Sequence, residues 1–404
     1  MNQSPLHSRP FASSGRLSRR GLLTAGAGLS FTLIAAPALA ASAVGQSKLV
    51  VIVCRGAMDG LSAAPPIGDP DYLSLRGPIA IPADHTLKLD GHFGLHPRLI
   101  TVAALAAAGE ARIAPAVAIP QRIRSHFEAQ DLLENGGEQL YGAASGWLNR
   151  ALVAITADRR VTAISIGAQA PLILRGPAPV RSWSPGGRST PDLARVAAAL
   201  QDLYQSDAIL GSALALGLQT EATAEGFNSG QTLQERDARG LAVTAARFLA
   251  ADGGPSIAVL SLDGFDTHAA QGAVNGQLAN RLGALDQTIA GLKDGLGSAW
   301  GKTVVIAATE FGRTAHVNGT GGTDHGTAST MILAGGALKP GGIIGDWPTL
   351  QPARLFEDRD LAPTLDVRQV FKGVLRDHLG VEPAPLETRV FPDSRTAPPL
   401  DNLV

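Results

Sequence analysis

The stretch from Thr303 to Gly326, TVVIAATEFGRTAHVNGTGGTDHG, constrains the fold more than any other. It opens on an apolar run, TVVIAAT, of the kind that lies in a sheet covered on both faces. The run ends at Glu310, where the carboxyl end of a strand falls. In an open α/β sheet that edge is where ligands bind. A Gly-rich loop follows and delivers Asp324 and His325 between glycines, which let a backbone turn sharply and approach a ligand. Ser256 to His268, SIAVLSLDGFDTH, repeats the design: a buried strand, then Asp263, Asp266 and His268. Acids at strand tips with an Asp-His pair on a loop form a donor set suited to a metal ion. The two strand ends are expected to meet over one site. A third apolar strand, Lys48 to Cys54, runs into RGAMDG. Asp59 there is either an ordinary Asp-Gly turn or a third acid past a strand tip, and two similar strands in the same chain favour the second.

These strands and the helical stretches between them specify an α/β fold with a mainly parallel central sheet and helices on both faces. The strands fall at 48–54, 111–119, 161–166, 256–262, 303–309 and 329–334. A helix over 278–296 joins the two key strands, which makes them parallel through a right-handed crossover. Pro191 to Tyr204 and Gln234 to Ala251 read as amphipathic helices, so about 191–251 is expected to be a helical insertion or cap. Residues 61–100, rich in Pro, Gly and Asp, read as a surface excursion in which His92 and His96 are loop histidines open to a ligand role or none. Residues 361–379 make a closing helix. One domain over 41–390 is expected, with 391–404 as a Pro-rich tail.

After the strand at 111–119 comes PQRIRSHFEAQ, residues 120–130. Ser125 has the character of an N-cap, with Glu128 three residues on at capping-box spacing. A hydroxyl at a helix N-terminus also faces the positive end of the dipole, which suits an anionic ester and a nucleophile whose alkoxide needs stabilising. Arg122 and Arg124 add fixed positive charge. His126 competes with Ser125 for the cleft, as a ligand or general acid. Adjacent residues at a helix start point in different directions, and the expectation is that Ser125 is the one facing in.

The chain begins with an export signal. Arg19 and Arg20 precede an apolar run, GLLTAGAGLSFTLIAAPALA, which ends in the small-residue cleavage site Ala38-Leu39-Ala40. Paired arginines with this run point to the twin-arginine export machinery and to a periplasmic or secreted product. Residues 1–40 are therefore set apart from the fold. No long apolar span follows, so no membrane span is expected in the mature chain. A formal net charge of −1 gives no electrostatic reason for a nucleic-acid partner. Cys54 is the single cysteine, so no internal disulfide exists, and it reads as a small buried strand residue rather than a nucleophile. Aromatic residues at 4% argue against a carbohydrate- or base-stacking platform.

Taken in order, the twin-arginine signal, RGAMDGL, SHFEAQ, LDGFDTH, ATEFGRT and GGTDHG resemble the secreted bacterial proteins of domain-of-unknown-function family 1501. That family resembles, distantly, the alkaline phosphatase and sulfatase superfamily: parallel α/β sheets with metals at the strand ends, hydrolysing phosphate or sulfate esters through a nucleophile at a helix start. The resemblance implies that Asp59 is a first-strand metal ligand and that Ser125 is the nucleophile. It implies that Asp266, His268 and His325 are ligands, with Asp263 sharing a role and Asp324 beside His325. Glu310 stands where the superfamily has an Asp followed by His, and Phe311 stands in place of that His, so one imidazole ligand is missing. The implied function is an exported hydrolase of small anionic esters using divalent metal, with Zn, Mn, Ca and Mg all open. The alternative is a non-catalytic protein of the same fold that binds a ligand or partner through the remnant site. A metal-free serine hydrolase is the third reading, weakened by the lack of a G-x-S-x-G elbow.

Overall fold

A computed structural model describes residues 46–155, 161–167, 170–185, 191–228, 233–234 and 237–404. The export signal read in residues 1–40 lies outside them. Among the described residues, one sheet holds β1 (Lys48–Cys54), β2 (Ala111–Ala118), β3 (Ala163–Ile166), β4 (Val180–Trp183), β5 (Ile257–Leu262), β6 (Thr303–Ala308), β7 (Ser329–Ala334) and β8 (Leu365–Asp366). Their spatial order is β8-β2-β7-β6-β1-β5-β3-β4. The helices of eight or more residues are α1 (Ile100–Ala107), α2 (His126–Asn135), α3 (Trp147–Ala154), α4 (Pro191–Leu203), α5 (Ala208–Asn228), α6 (Ala238–Ala250), α7 (Gln277–Leu296) and α8 (Val367–Leu379).

Successive residues of β1 serve opposite faces of the sheet, and both faces are dry. Leu49, Val51 and Val53 join a core with Leu132 of α2, Trp147 of α3 and Phe371 of α8. Val50, Ile52 and Cys54 join another with Val102 of α1, Phe248 of α6 and Leu285 of α7. This period-two division explains why the strands read as continuous apolar runs. Cys54 is fully buried, and burial, aided by the Glu310 charge, pushes its thiol pKa upward, so it is a packed residue rather than a nucleophile.

The sheet is mainly parallel. β1 pairs in parallel with both β5 and β6, Val51 lying opposite Val259 on one side and Ile306 on the other. The two key strands therefore flank β1 rather than each other, and the three carboxyl ends lie side by side. β7 runs antiparallel to β6 and β2. Its connection from β6 is a loop without a crossover helix, which returns the chain along the same edge. That return brings the Gly-rich loop back over the tip of β6. In β2 the register slips between Ala114 and Val117, around Pro115, which has no N–H to give to a ladder.

Three stretches differ from the sequence expectation. Residues 61–100 are built inward: Leu61, Tyr72 and Leu75 form a small core with Leu350 and Leu361. His96 is fully buried, its Nε2 donating to the Ala273 carbonyl (3.0 Å), and His92 packs edge-on to Phe93 and Trp347, so both histidines have structural partners. Within 191–251, α6 is part of the covering layer, burying Ala242, Ala245 and Leu249 in the core with α7. α5 has no counterpart in the sequence reading, because its Ala, Gly and Thr content marks no clear apolar stripe. The residues read as a tail are packed: Phe391 and Leu403 are buried, and buried Lys372 of α8 donates to the carbonyls of Ser394 and Ala397.

Candidate metal centre

Four segments meet at the carboxyl edge of the sheet. The turn after β5 carries Asp266 and His268. The tip of β6 carries Glu310, and the β6–β7 loop brings Asp324 and His325. The fourth is the first residue of α2, His126. The loop is held by doubling on itself: Gly326 N donates to Gly312 O (2.8 Å), Gly312 N donates to Thr327 O (3.0 Å), and Arg313 bridges His325 through the backbone. Gly56, at φ 108°, lets the end of β1 pass so close that a Cβ there would stand 2.6 Å from Asp266 N. Gly322 does the same beneath His268, where a Cβ would stand 2.3 Å from the His268 carbonyl carbon.

The Asp266 carboxylate is the centre of the group. His126 Nε2 is 3.4 Å from its Oδ2, and His268 Nε2 and His325 Nε2 are 3.0 and 3.4 Å from its Oδ1. One ligand atom each from His126, Asp266 and His325 lies within 4.8 Å of the others. His268 Nε2 and His325 Nε2 are 2.9 Å apart.

The far side of each ring is tied to an oxygen. His126 Nδ1 donates to Glu310 Oε1 (2.8 Å), His325 Nδ1 to the Arg124 carbonyl (2.7 Å) and His268 Nδ1 faces Asp324 Oδ1 at 3.3 Å. With the protons on Nδ1, the Nε2 lone pairs are aimed at Asp266. Metal-binding histidines are oriented in this way by their outer partners. His126 Nε2 is buried without a hydrogen bond. Two Nε2 lone pairs at 2.9 Å repel unless a cation, a shared proton or a metal ion, lies between them. Tetrahedral zinc with ligands at about 2.0–2.1 Å sets donors about 3.3 Å apart, close to the spacings found. The donor set fits a divalent ion. Three imidazoles with one carboxylate suit zinc or manganese better than calcium or magnesium, which favour oxygen.

The field around the group supports a cation as well. Burial works to raise the Asp266 carboxyl, but Arg313, itself fully buried with Nη1 2.7 Å away, outweighs it and holds the carboxyl below its ordinary value. Glu310 is 0% exposed, and that burial is outweighed by bonds from His126, Gln130 Nε2 (3.1 Å) and Gly56 N (2.9 Å), so it too stays ionised. The Glu310 contact pushes the His126 pKa up, whereas burial pushes that of His325 down. Asp324 is held low, first by Asn318 Nδ2.

The remaining sequence candidates are distributed around this group. Asp59 forms a fully buried ion pair with Arg76 and also bonds Ser62 and Gln271 Nε2 (2.7 Å). It is a structural charge, and Gln271, which donates to the same Oδ2 as Arg76 and Ser62, accepts at Oε1 from the hydroxyls of Thr267 and Thr323 beneath the centre. Asp263 lies on the wall of a neighbouring cavity. Arg124 is taken up by Asp360 (2.7 Å) and Glu357 (2.6 Å), so its guanidinium is not an open anion clamp. Arg122 is exposed, with Nη1 on the Ile119 carbonyl. Ser125 is the N-cap of α2 but makes no side-chain capping bond, so the expected capping box is absent. The ring expected to point away, His126, is the one in the group, and Phe311, read as a missing ligand, stacks on it at 4.9 Å. Arg313 was missed by sequence reasoning, although its place in ATEFGRT two residues after Phe311 puts a cation on the same loop.

A cavity of about 820 Å³ opens beside the centre, at the ends of β1, β3 and β5. Gln130 belongs to its wall and bonds Glu310 on the other side.

A model of the family described as "Protein of unknown function (DUF1501)" matches residues 46–388. No curated protein matches the chain. Solved structures similar to it include the C-terminal periplasmic domain of EcEptC from Escherichia coli in complex with Zn, 10% identical, with a TM-score of 0.38 over 72% of this chain and 73% of that one. The phosphonate monoester hydrolase of Agrobacterium radiobacter is 12% identical, with a TM-score of 0.37 over 83% and 74% of the two chains. A protein in the alkaline phosphatase superfamily from Vibrio parahaemolyticus is 11% identical, with a TM-score of 0.37 over 74% and 62%.

Proposed function

The chain belongs to the DUF1501 family, and we propose that it is an exported, metal-dependent hydrolase of phosphate- or sulfate-type esters. One observation carries the reading: three imidazoles, each tied by Nδ1 to an oxygen, turn their Nε2 atoms onto one carboxylate. His126, Asp266 and His325 would hold the ion, with His268 beside them and Glu310 and Asp324 orienting two of the rings, so that one position stays open to the ester. A divalent ion there supplies charge neutralisation and polarises the ester.

The substrate is anionic because the first turn of α2 faces the centre through His126, and a helix N-terminus favours negative charge. Ser125 is the nucleophile in this reading. It is fixed on both sides at the rim of the centre, by the Arg124 carbonyl bound to His325 and by His126 itself, while its hydroxyl is not used as a cap. Ser125 Oγ forms the bond to phosphorus or sulfur, and the ester oxygen leaves as the alcohol, taking the hydroxyl proton. Water then releases the inorganic anion and restores the serine. Arg122 is the exposed cation closest in sequence to meet the substrate's charge.

Export rests on Arg19, Arg20 and the cleavage site in residues 38–40. No helix of the described residues is long and apolar enough to cross a membrane. Fractionation of cells making a double Arg-to-Lys variant at 19 and 20 tests the route: periplasmic accumulation should stop. Activity is tested with zinc- or manganese-loaded protein on phosphate and sulfate esters. Ser125→Ala should lower kcat by about a hundredfold or more with metal content intact. Near-normal turnover in that variant removes Ser125 from the chemistry, and metal binding without turnover on any ester leaves a binding protein.

A further inference from the structure

The chain is poor in aromatic residues, and most of those described are packed inside. Phe127 and Tyr141 are different, 85% and 67% exposed. They are the two aromatic side chains among the large hydrophobic residues exposed in the described part of the chain, and both line the 820 Å³ cavity beside the centre. Phe127 directly follows His126 on α2. Tyr141 has φ 54°, a backbone conformation that a non-glycine residue seldom adopts, and its N–H is held by Asp131 Oδ2 at 2.7 Å. Neither ring has an aromatic partner among the described residues.

On the wall, Arg55, Gln130, Asp131 and Glu134 are already engaged with the protein. Glu134 accepts from Arg55 Nη2 (2.5 Å) with one oxygen and from Ile173 N (3.0 Å) with the other. Gln130 accepts from Arg55 Nη1 (2.6 Å) and donates to Glu310. Asp131 Oδ2 accepts from both Asn135 and Tyr141. A sugar needs such carboxylates and amides for its hydroxyls, whereas a flat apolar ring needs only the faces of Phe127 and Tyr141 with the side chains of Leu172 and Leu241 beside them.

We infer that this cavity is the subsite for the organic part of the substrate and that it takes a planar aromatic alcohol, so that the esters cleaved are aryl phosphates or sulfates. This rests on the hydrolase reading for its catalytic meaning, but the binding of the ring does not require the metal. The size fits, since cavities of about 300–1,000 Å³ enclose ligands of this class. The connection is short: Gln130 touches the cavity on one side and Glu310, the partner of His126, on the other.

The test is fluorescence anisotropy of 4-methylumbelliferone with the mature chain as purified. Phe127→Ala and Tyr141→Ala should each weaken binding at least tenfold with an unchanged melting temperature, because both side chains are exposed. Asp266→Asn should lose bound metal yet keep dye affinity within about twofold. With the loaded protein, kcat/KM for 4-methylumbelliferyl phosphate or sulfate should exceed that for the ethyl ester, and Phe127→Ala should lower it through KM. Unchanged dye affinity in both aromatic variants overturns the inference, and so does methyl glucoside displacing the dye as well as 4-nitrophenol does. If the wild type binds no metal but binds dye through Phe127 and Tyr141, the hydrolase reading falls and the aromatic subsite stands.

Discussion

His268 Nε2 and His325 Nε2 face each other across 2.9 Å, although the two residues are 57 positions apart and enter from different strands. Both rings have an oxygen on the Nδ1 side, the Asp324 carboxylate for His268 and the Arg124 carbonyl for His325. With both rings neutral and protonated on Nδ1, neither nitrogen of the pair has a proton to share. Asp266 lies against both, and Arg313 holds that carboxylate from behind. The arrangement suits a cation, and the donors present are ones that could hold a metal ion.

Glu310 acts through His126. Replacing it by Gln removes the negative charge that fixes the Nδ1 proton and keeps Nε2 as a donor to metal. Glu310→Gln should weaken metal affinity by about 10–100-fold with the fold intact, as measured by competition with a chelating dye. Unchanged affinity would make Glu310 a spectator.

Asp59 tests the line between structural and functional acids. Arg76 is 0% exposed and Asp59 1%, so removing one partner leaves a charge buried without its counter-ion. Asp59→Ala should cost about 3–5 kcal/mol in urea unfolding. Bound metal per folded chain should stay the same. Loss of metal with full stability would return Asp59 to the ligand set.

Two buried histidines set an acid limit on stability. Burial lowers the pKa of His96 and of His378, each despite a hydrogen bond to a backbone carbonyl. The unfolded chain therefore binds protons that the folded chain refuses. Stability is full above the ordinary value of 6.5 and falls as pH drops from there through the depressed folded values. Each tenfold lowering of proton affinity is worth about 1.4 kcal/mol. Urea midpoints at pH 7.5 and 5.5 measure the fall, and His378→Gln, which keeps a donor for the Lys48 carbonyl, should make it smaller. An equal fall in that variant would assign the acid limit elsewhere.

The sequence carried the strands because each is an apolar run that stops at a polar tip. β1 (Lys48–Cys54) has the expected bounds, and β5 and β6 begin or end within a residue of theirs. The same logic brought Asp266, His268, Glu310 and His325 to one edge. It could not separate Asp59 from them, since the identity of its partner depends on how residues 61–100 fold back, and Arg76 lies in a stretch with no periodicity. It turned Ser125 inward where the structure turns His126 in, because adjacent positions at a helix start differ only in direction. Phe311, read as the place of a missing imidazole, stacks on the ring of His126 from another element, a juxtaposition in space that no spacing rule reveals.

The account stands most directly on metal content. Protein purified from its native cells, without added metal, should contain about one equivalent of zinc or manganese per chain by elemental analysis. Asp266→Asn and His325→Ala should each lose most of it while keeping the wild-type circular dichroism. A wild-type chain that emerges free of transition metal and takes up none on dialysis, or variants that hold as much as the wild type, would contradict the centre described for His126, Asp266, His268 and His325.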